Sequence, residues 1–172
     1  WLFPGQASQS VGMGQDLVDE YDSARELFES SREVLGFDLP ALCFGGPMDE
    51  LTQTRNAQPA ILLHSLAVAS VLRDRLSVAP SFVAGHSLGE FSAASAVGAI
   101  DSADALRIVR RRGELMFDAG QKVPGTMAAV MGLPLEEITT ACRKVSEAGT
   151  HRRLLLTNVN SSAQLAISGT FA

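Results

Sequence analysis

The chain has 172 residues, 46% of them apolar and 19% charged, with a formal net charge of -5. That profile fits an ordinary globular protein long enough for one domain with a proper core, or for one domain and the start of another. The acidic balance excludes a nucleic-acid-binding face, since the basic cluster of Arg107, Arg110, Arg111 and Arg112 is too short to make one. No stretch approaches the apolar length of a membrane span, and no signal peptide is visible. Cys43 and Cys142, far apart in apolar company, are expected as buried free thiols.

In chain order, residues 1–3 read as a short strand stopped by Pro4-Gly5. Helical patterns follow near 14–19 and 23–35, the second carrying Ala24, Leu27, Phe28 and Val34 at helical spacing and ending at Gly36. After a loop rich in Gly and Pro, Pro59 suits the first turn of a long helix to about residue 76, apolar enough to be buried on most sides. Pro80 introduces a strand over 81–84, followed by a small-residue helix near 91–97 and another over about 102–119. Strand, sharp turn and helix in succession predict an α/β fold with a parallel sheet. Past Pro124 the pattern changes to a strand (126–131), a helix (134–148) and two strands (154–159 and 164–168), a small α+β subdomain. The expected division is therefore 1–122 and 123–172. The abrupt opening at Trp1 and the equally abrupt end predict a piece of a longer chain, with the second subdomain cut short.

The strand over 81–84 runs directly into Gly85-His86-Ser87-Leu88-Gly89. A Gly-x-Ser-x-Gly segment between strand and helix fits a nucleophile elbow, in which small residues two before and two after the serine let strand and helix approach. Ser87 then points outward at the positive end of the next helix, and the Leu88 amide supplies an oxyanion donor. Such a serine needs a base. Of the histidines, His86 adjoins Ser87 and is expected to pack beneath the elbow or line the pocket. His64 lies within the long apolar helix and reads as a satisfied core side chain, and His151 sits in a loop beside two arginines. None is a convincing base. Arg112 is unusual in another way, because its helical neighbours Ile108, Val109, Leu115 and Met116 are apolar, whereas Arg110 and Arg111 have Glu114 within reach. A cation on a core-facing stripe needs an anion. That anion is either a carboxylate elsewhere in the chain or the carboxylate of a substrate, held by the planar guanidinium fork.

Taken together, several segments resemble the malonyl-CoA:acyl carrier protein transacylases and the related acyltransferase domains of polyketide and fatty acid synthases. They are Phe3-Pro4-Gly5-Gln6-Ala7-Ser8-Gln9 with Gly12-Met13-Gly14, residues 54–60, residues 85–92, Arg112-Gly113 with Met116, residues 125–130, and Asn158-Val159-Asn160-Ser161 with Ile167-Ser168-Gly169. The resemblance implies an α/β-hydrolase-like core carrying a small ferredoxin-like subdomain. It implies transfer of malonyl from malonyl-CoA to the phosphopantetheine thiol of acyl carrier protein through a malonyl-serine ester, in fatty acid biosynthesis. Ser87 would be the nucleophile, the backbone amides of Gln6 and Leu88 the oxyanion hole, Arg112 the carboxylate-binding residue, and Gln58 and His86 residues near the pocket. No metal or further cofactor is implied; the partners are malonyl-CoA and the carrier protein. A cytoplasmic setting is expected, with an organellar one left open, and a monomer or part of a larger chain. The chain departs from the family in having Ala7 where Gly is usual. It also contains no counterpart of the family's catalytic histidine, which lies downstream of the ferredoxin-like part. An acyltransferase domain of a polyketide synthase, a serine esterase and a non-catalytic carrier-binding module are the alternatives.

Overall fold

Helix α5 (Thr54–Leu76) is the centre of the first unit, because almost every turn of it is apolar or small: Ile61, Leu62, Leu63, Leu66, Ala67 and Ala69 are all buried. In this computed structural model residues 1–76, 79–149 and 153–171 are described. They divide into two units, Trp1–Phe117 and Asp118–Ala172. The boundary falls inside helix α7 (Ser102–Lys122), a few residues before the one expected from the pattern change.

Around α5 pack α1 (Gln15–Glu20), α2 (Asp22–Leu35), α3 (Leu39–Gly45) and α4 (Met48–Thr52). Helix α2 buries Ala24 and Phe28 and stops at Gly36, whose φ of 72° is the left-handed cap glycine tolerates. Phe28 stacks on Phe44 of α3 at 5.3 Å. Helices α3 and α4 stand where the Gly- and Pro-rich sequence predicts a loop. The start of α3 is nonetheless encoded, since Asp38 accepts a hydrogen bond from the Ala41 amide and Pro40 lies in the first turn. The two cysteines are free and buried as expected, and burial pushes the Cys43 thiol up to about 12.

Helix α5 begins five residues before Pro59, not at it. A proline in a helix cannot donate to the carbonyl four residues earlier, here that of Arg55. Arg110 of α7 donates from Nη1 to that same carbonyl at 2.9 Å and so supplies the missing bond.

Strand β1 (Leu2–Phe3) pairs in parallel with β2 (Ala84–Gly85), Leu2 opposite Ala84 and Phe3 opposite Gly85. Of the strand expected over 81–84 only Ala84 enters the ladder, which runs on to Gly85, and Phe82 is left 88% exposed. Helix α6 (Gly89–Ala96) follows β2. In the second unit, β3 (Gly125–Met131), β4 (Leu154–Ser161) and β5 (Gln164–Thr170) form an antiparallel sheet in the order β3-β5-β4. Helix α8 (Leu135–Glu147) buries Ile138 and Cys142 against Leu165. The architecture is α/β. Among the described residues no helix is long and apolar enough to cross a membrane, and no cluster of His, Cys, Asp and Glu could hold a metal ion.

Candidate active site

The turn at Ser87 is built by contacts that allow no side chain. A Cβ at Gly85 would lie 1.9 Å from the Gly89 carbonyl carbon, and one at Gly89 would lie 2.3 Å from the Phe3 carbonyl oxygen. Strand β2 and the start of α6 therefore close on each other and on β1. Ser87 bridges them with a φ of 53°, a left-handed conformation that costs a non-glycine residue about 1–2 kcal/mol. The turn is held by the Gly89 amide donating to His86 O at 2.9 Å and the Glu90 amide donating to Ser87 O at 3.2 Å. Leu88 is buried beneath it. The elbow read from the sequence is present.

The loop after β1 meets the elbow at Gly5, where a Cβ would stand 2.8 Å from both Nδ1 and O of His86. His86 thus packs over Gly5 on an exposed surface. Next in the loop, Gln6 is tied by its side chain, Nε2 donating to Thr54 Oγ1 at 3.0 Å. Ala7 has a φ of 81°, which is why glycine is the expected residue there. Its amide donates to Gln9 Oε1 at 3.0 Å, and Ser8 Oγ donates to Gly5 O at 2.9 Å, so the loop holds the strained conformation from within. Among the described residues the Gln6 and Leu88 backbone amides donate to no other protein group.

Arg112 comes from α7. A Cβ at Gly113 would lie 2.7 Å from Thr54 O and 2.8 Å from Arg55 Cα, so α7 crosses the start of α5 at backbone distance. That crossing brings Arg112 onto α5 and β2 together: Nη1 donates to Gln58 Oε1 at 2.5 Å and Nη2 donates to Ser87 Oγ at 2.9 Å. Gln58 is fully buried, and its Nε2 donates to Met116 Sδ at 3.2 Å. The Phe91 ring lies 6.0 Å from the guanidinium carbon. Ser87, Arg112 and Gln58, far apart in the chain, are thus gathered in one hydrogen-bonded line.

Two sequence expectations are corrected here. The stripe holding Arg112 does not face the core, for Ile108, Leu115 and Met116 are 42%, 53% and 47% exposed. The buried side of α7 is Ala105, Leu106, Val109 and Gly113, and Arg112 stands at its edge, half-buried. Among the described residues no carboxylate lies within 4.0 Å of Arg112, so the intramolecular ion pair is ruled out there. His64 is not a satisfied core histidine either. Its Nδ1 is buried without a hydrogen-bond partner, and burial holds its pKa below the ordinary value, with Asp16 opposing. His151 lies outside the described residues. Among those residues, the side-chain hydrogen bond to Ser87 Oγ comes from Arg112, which accepts no proton. What that cation does offer Oγ is stabilisation of negative charge.

This geometry coincides with a family match over the whole chain, in which residues 1–172 fit the acyl transferase domain. The chain belongs to the acyl transferase domain family. It is 44% identical over 170 residues to the malonyl CoA-acyl carrier protein transacylase of Bacillus subtilis strain 168, covering 99% of this chain and 53% of the relative. Against the enzyme of that name from Escherichia coli K12 it is 41% identical, covering 98% and 54%. FabD from Acinetobacter baumannii superposes with a TM-score of 0.89 at 39% identity, covering 98% of this chain and 53% of that one. A malonyl-transacylase solved with its type II polyketide synthase acyl-carrier protein gives a TM-score of 0.86 at 40% identity, covering 98% and 54%. The acyl transferase segment thus spans about half the length of the curated relatives it matches.

Proposed function

We propose that the protein containing this segment transfers malonyl from malonyl-CoA to the phosphopantetheine thiol of an acyl carrier protein, in fatty acid biosynthesis. Ser87 Oγ attacks the thioester carbonyl carbon, the carbon–sulfur bond breaks, and coenzyme A leaves as its thiol. The carrier thiol then attacks the resulting serine ester and frees Ser87. The Gln6 and Leu88 amides, which have no other acceptor among the described residues, are the donors for the oxyanion of each tetrahedral intermediate. We assign the general base, on the family resemblance, to a histidine outside these residues. The same resemblance supports reading the first unit as part of an α/β-hydrolase-like core and the β3-α8-β4-β5 unit as ferredoxin-like. The setting is read as cytoplasmic.

One observation carries the substrate assignment: Arg112 lies 2.9 Å from Ser87 Oγ and has no carboxylate of the described chain to neutralise it. A short acyl group on Oγ that ends in a carboxylate would meet the guanidinium, whereas a serine esterase has no need of it. The reading is tested with the full-length protein by incubating it with malonyl-CoA or acetyl-CoA and weighing its peptides. Malonyl is expected on the peptide holding Ser87, and Arg112→Ala should lower the malonyl-to-acetyl loading ratio about 10–100-fold, the size of a charge-assisted pair. Label on another residue overturns the nucleophile, and equal loss of both acyl groups overturns the carboxylate role. A polyketide carrier is the second reading, prompted by the relative solved with one. Offering carriers from both kinds of system to the malonyl-loaded protein separates the two.

A further inference from the structure

We infer that Gln58 sets acyl selectivity as an uncharged tether: it fixes the Arg112 guanidinium beside Ser87 without consuming its charge. The inference rests on the reading of Arg112 as the carboxylate-binding residue and adds a positioning residue to it.

An arginine side chain only donates, so the atom of Gln58 that faces Arg112 must be the carbonyl Oε1, as found at 2.5 Å. The amide nitrogen then faces away, where Met116 Sδ receives it at 3.2 Å. A thioether accepts and cannot donate, so neither neighbour tolerates a flipped amide. Gln58 is fully buried on α5, and the close crossing at Gly113 prevents α7 from sliding off it. Both sides of the Gln58–Arg112 bond are therefore fixed by packing, and Nη2 is aimed at Ser87 Oγ.

The chemistry of the tether matters as much as its position. Glutamate has nearly the shape of glutamine and would make a stronger bond to Arg112. Buried against the guanidinium, however, its carboxylate would cancel the positive charge that an incoming carboxylate is to meet, and would repel that carboxylate directly. A neutral acceptor avoids both effects. The same helix shows the other solution: Arg110, which binds nothing from outside in this reading, is paired with the Glu114 carboxylate at 2.7 Å.

The full-length protein decides the matter through rates of Ser87 acylation by malonyl-CoA and acetyl-CoA in Gln58→Glu, Gln58→Met and Arg112→Ala. Gln58→Glu is expected to lower the malonyl-to-acetyl ratio at least ~10-fold, while acetyl loading stays within a few-fold of the parent. Its malonyl rate should recover, relative to the parent, as pH falls and the introduced carboxyl takes up a proton, a signature that damaged packing would not produce. Gln58→Met keeps volume and neutrality but removes the acceptor, and should lower the ratio by a smaller factor. If Gln58→Glu folds poorly by its melting curve, the ratio in Gln58→Met decides alone. The inference is overturned if Arg112→Ala collapses the ratio but the Gln58 variants leave it unchanged or reduce both acyl groups equally. An unchanged ratio in Arg112→Ala instead removes the carboxylate reading itself.

Discussion

Two arginines two positions apart on α7 end in opposite kinds of surroundings. The Arg110 guanidinium donates to the Glu114 carboxylate at 2.7 Å, to Asn56 Oδ1 at 2.8 Å and to the Arg55 carbonyl at 2.9 Å, and stacks 4.6 Å from the Phe37 ring. Every one of those partners is a fixed part of the first unit, and one is the carbonyl that Pro59 leaves without a helical donor. Arg112 donates to a neutral amide and to a serine hydroxyl. A guanidinium that ends on a carboxylate and on backbone is architecture; one that ends on an uncharged amide and a serine hydroxyl has its charge uncompensated by those two partners. Charge and helix are shared, so the partners alone make the difference.

The largest expected effect removes the comparison altogether. Gly113 directly follows Arg112 on the helix that carries both arginines, and a Cβ there would meet backbone at 2.7 and 2.8 Å, which cannot move aside as a flexible side chain would. Gly113→Ala should push α7 from α5, destabilise the protein by about 1–3 kcal/mol as overpacking does, and reduce acyl loading without regard to the acyl group. A melting midpoint within a degree of the parent would show that the crossing gives way more easily than the contact distances imply.

Much of the setting of Ser87 is legible in the sequence because it is local. Gly85, Ser87 and Gly89 lie within five residues, and their spacing alone dictates the tight turn. Ala7 stood out as an unexpected residue, and its φ of 81° gives the physical reason. The surroundings of Arg112 were not legible, because apolar neighbours at helical spacing were equated with the core. The buried stripe is displaced to Ala105, Leu106, Val109 and Gly113, leaving Ile108, Leu115 and Met116 largely exposed. Nor could periodicity reveal that Gln58 is the partner, since that bond spans 54 positions. The start of α5 was misplaced for a related reason. Proline inside a helix is normally costly, and the donor that offsets it here, Arg110, comes from 55 positions away.

The next effect in size separates the two arginines. Arg110→Ala leaves the Arg55 carbonyl without a donor and Glu114 without its nearer cation, so stability should fall by about 2 kcal/mol while the malonyl-to-acetyl ratio stays at the parent value. Arg112→Ala is expected to do the reverse, changing the ratio with little effect on the melting midpoint. If Arg110→Ala shifted selectivity as strongly as Arg112→Ala, the division of labour on α7 would be wrong.

The smallest effect sharpens the comparison, because it gives Arg110 the kind of partner Arg112 has. Glu114→Gln replaces a carboxylate by an amide that can still accept from Arg110 Nε, so the hydrogen bond survives and only the charge pairing is lost. Arg110 and Glu114 are 23% and 34% exposed, and Arg111 also approaches Glu114 at 3.6 Å while 67% exposed, so water already screens the pair. A loss of about 0.5–1 kcal/mol is expected, the range of partly exposed ion pairs, readable as a change in denaturant midpoint at low ionic strength that shrinks as salt is added. Acyl selectivity should not change, because the unpaired charge on Arg110 remains bound to the Arg55 carbonyl and Asn56 rather than to Ser87. A gain in malonyl loading from Glu114→Gln would mean that Glu114 already draws on the field at Ser87, and that neutrality around Arg112 has to be counted over the whole arginine cluster rather than at Gln58 alone.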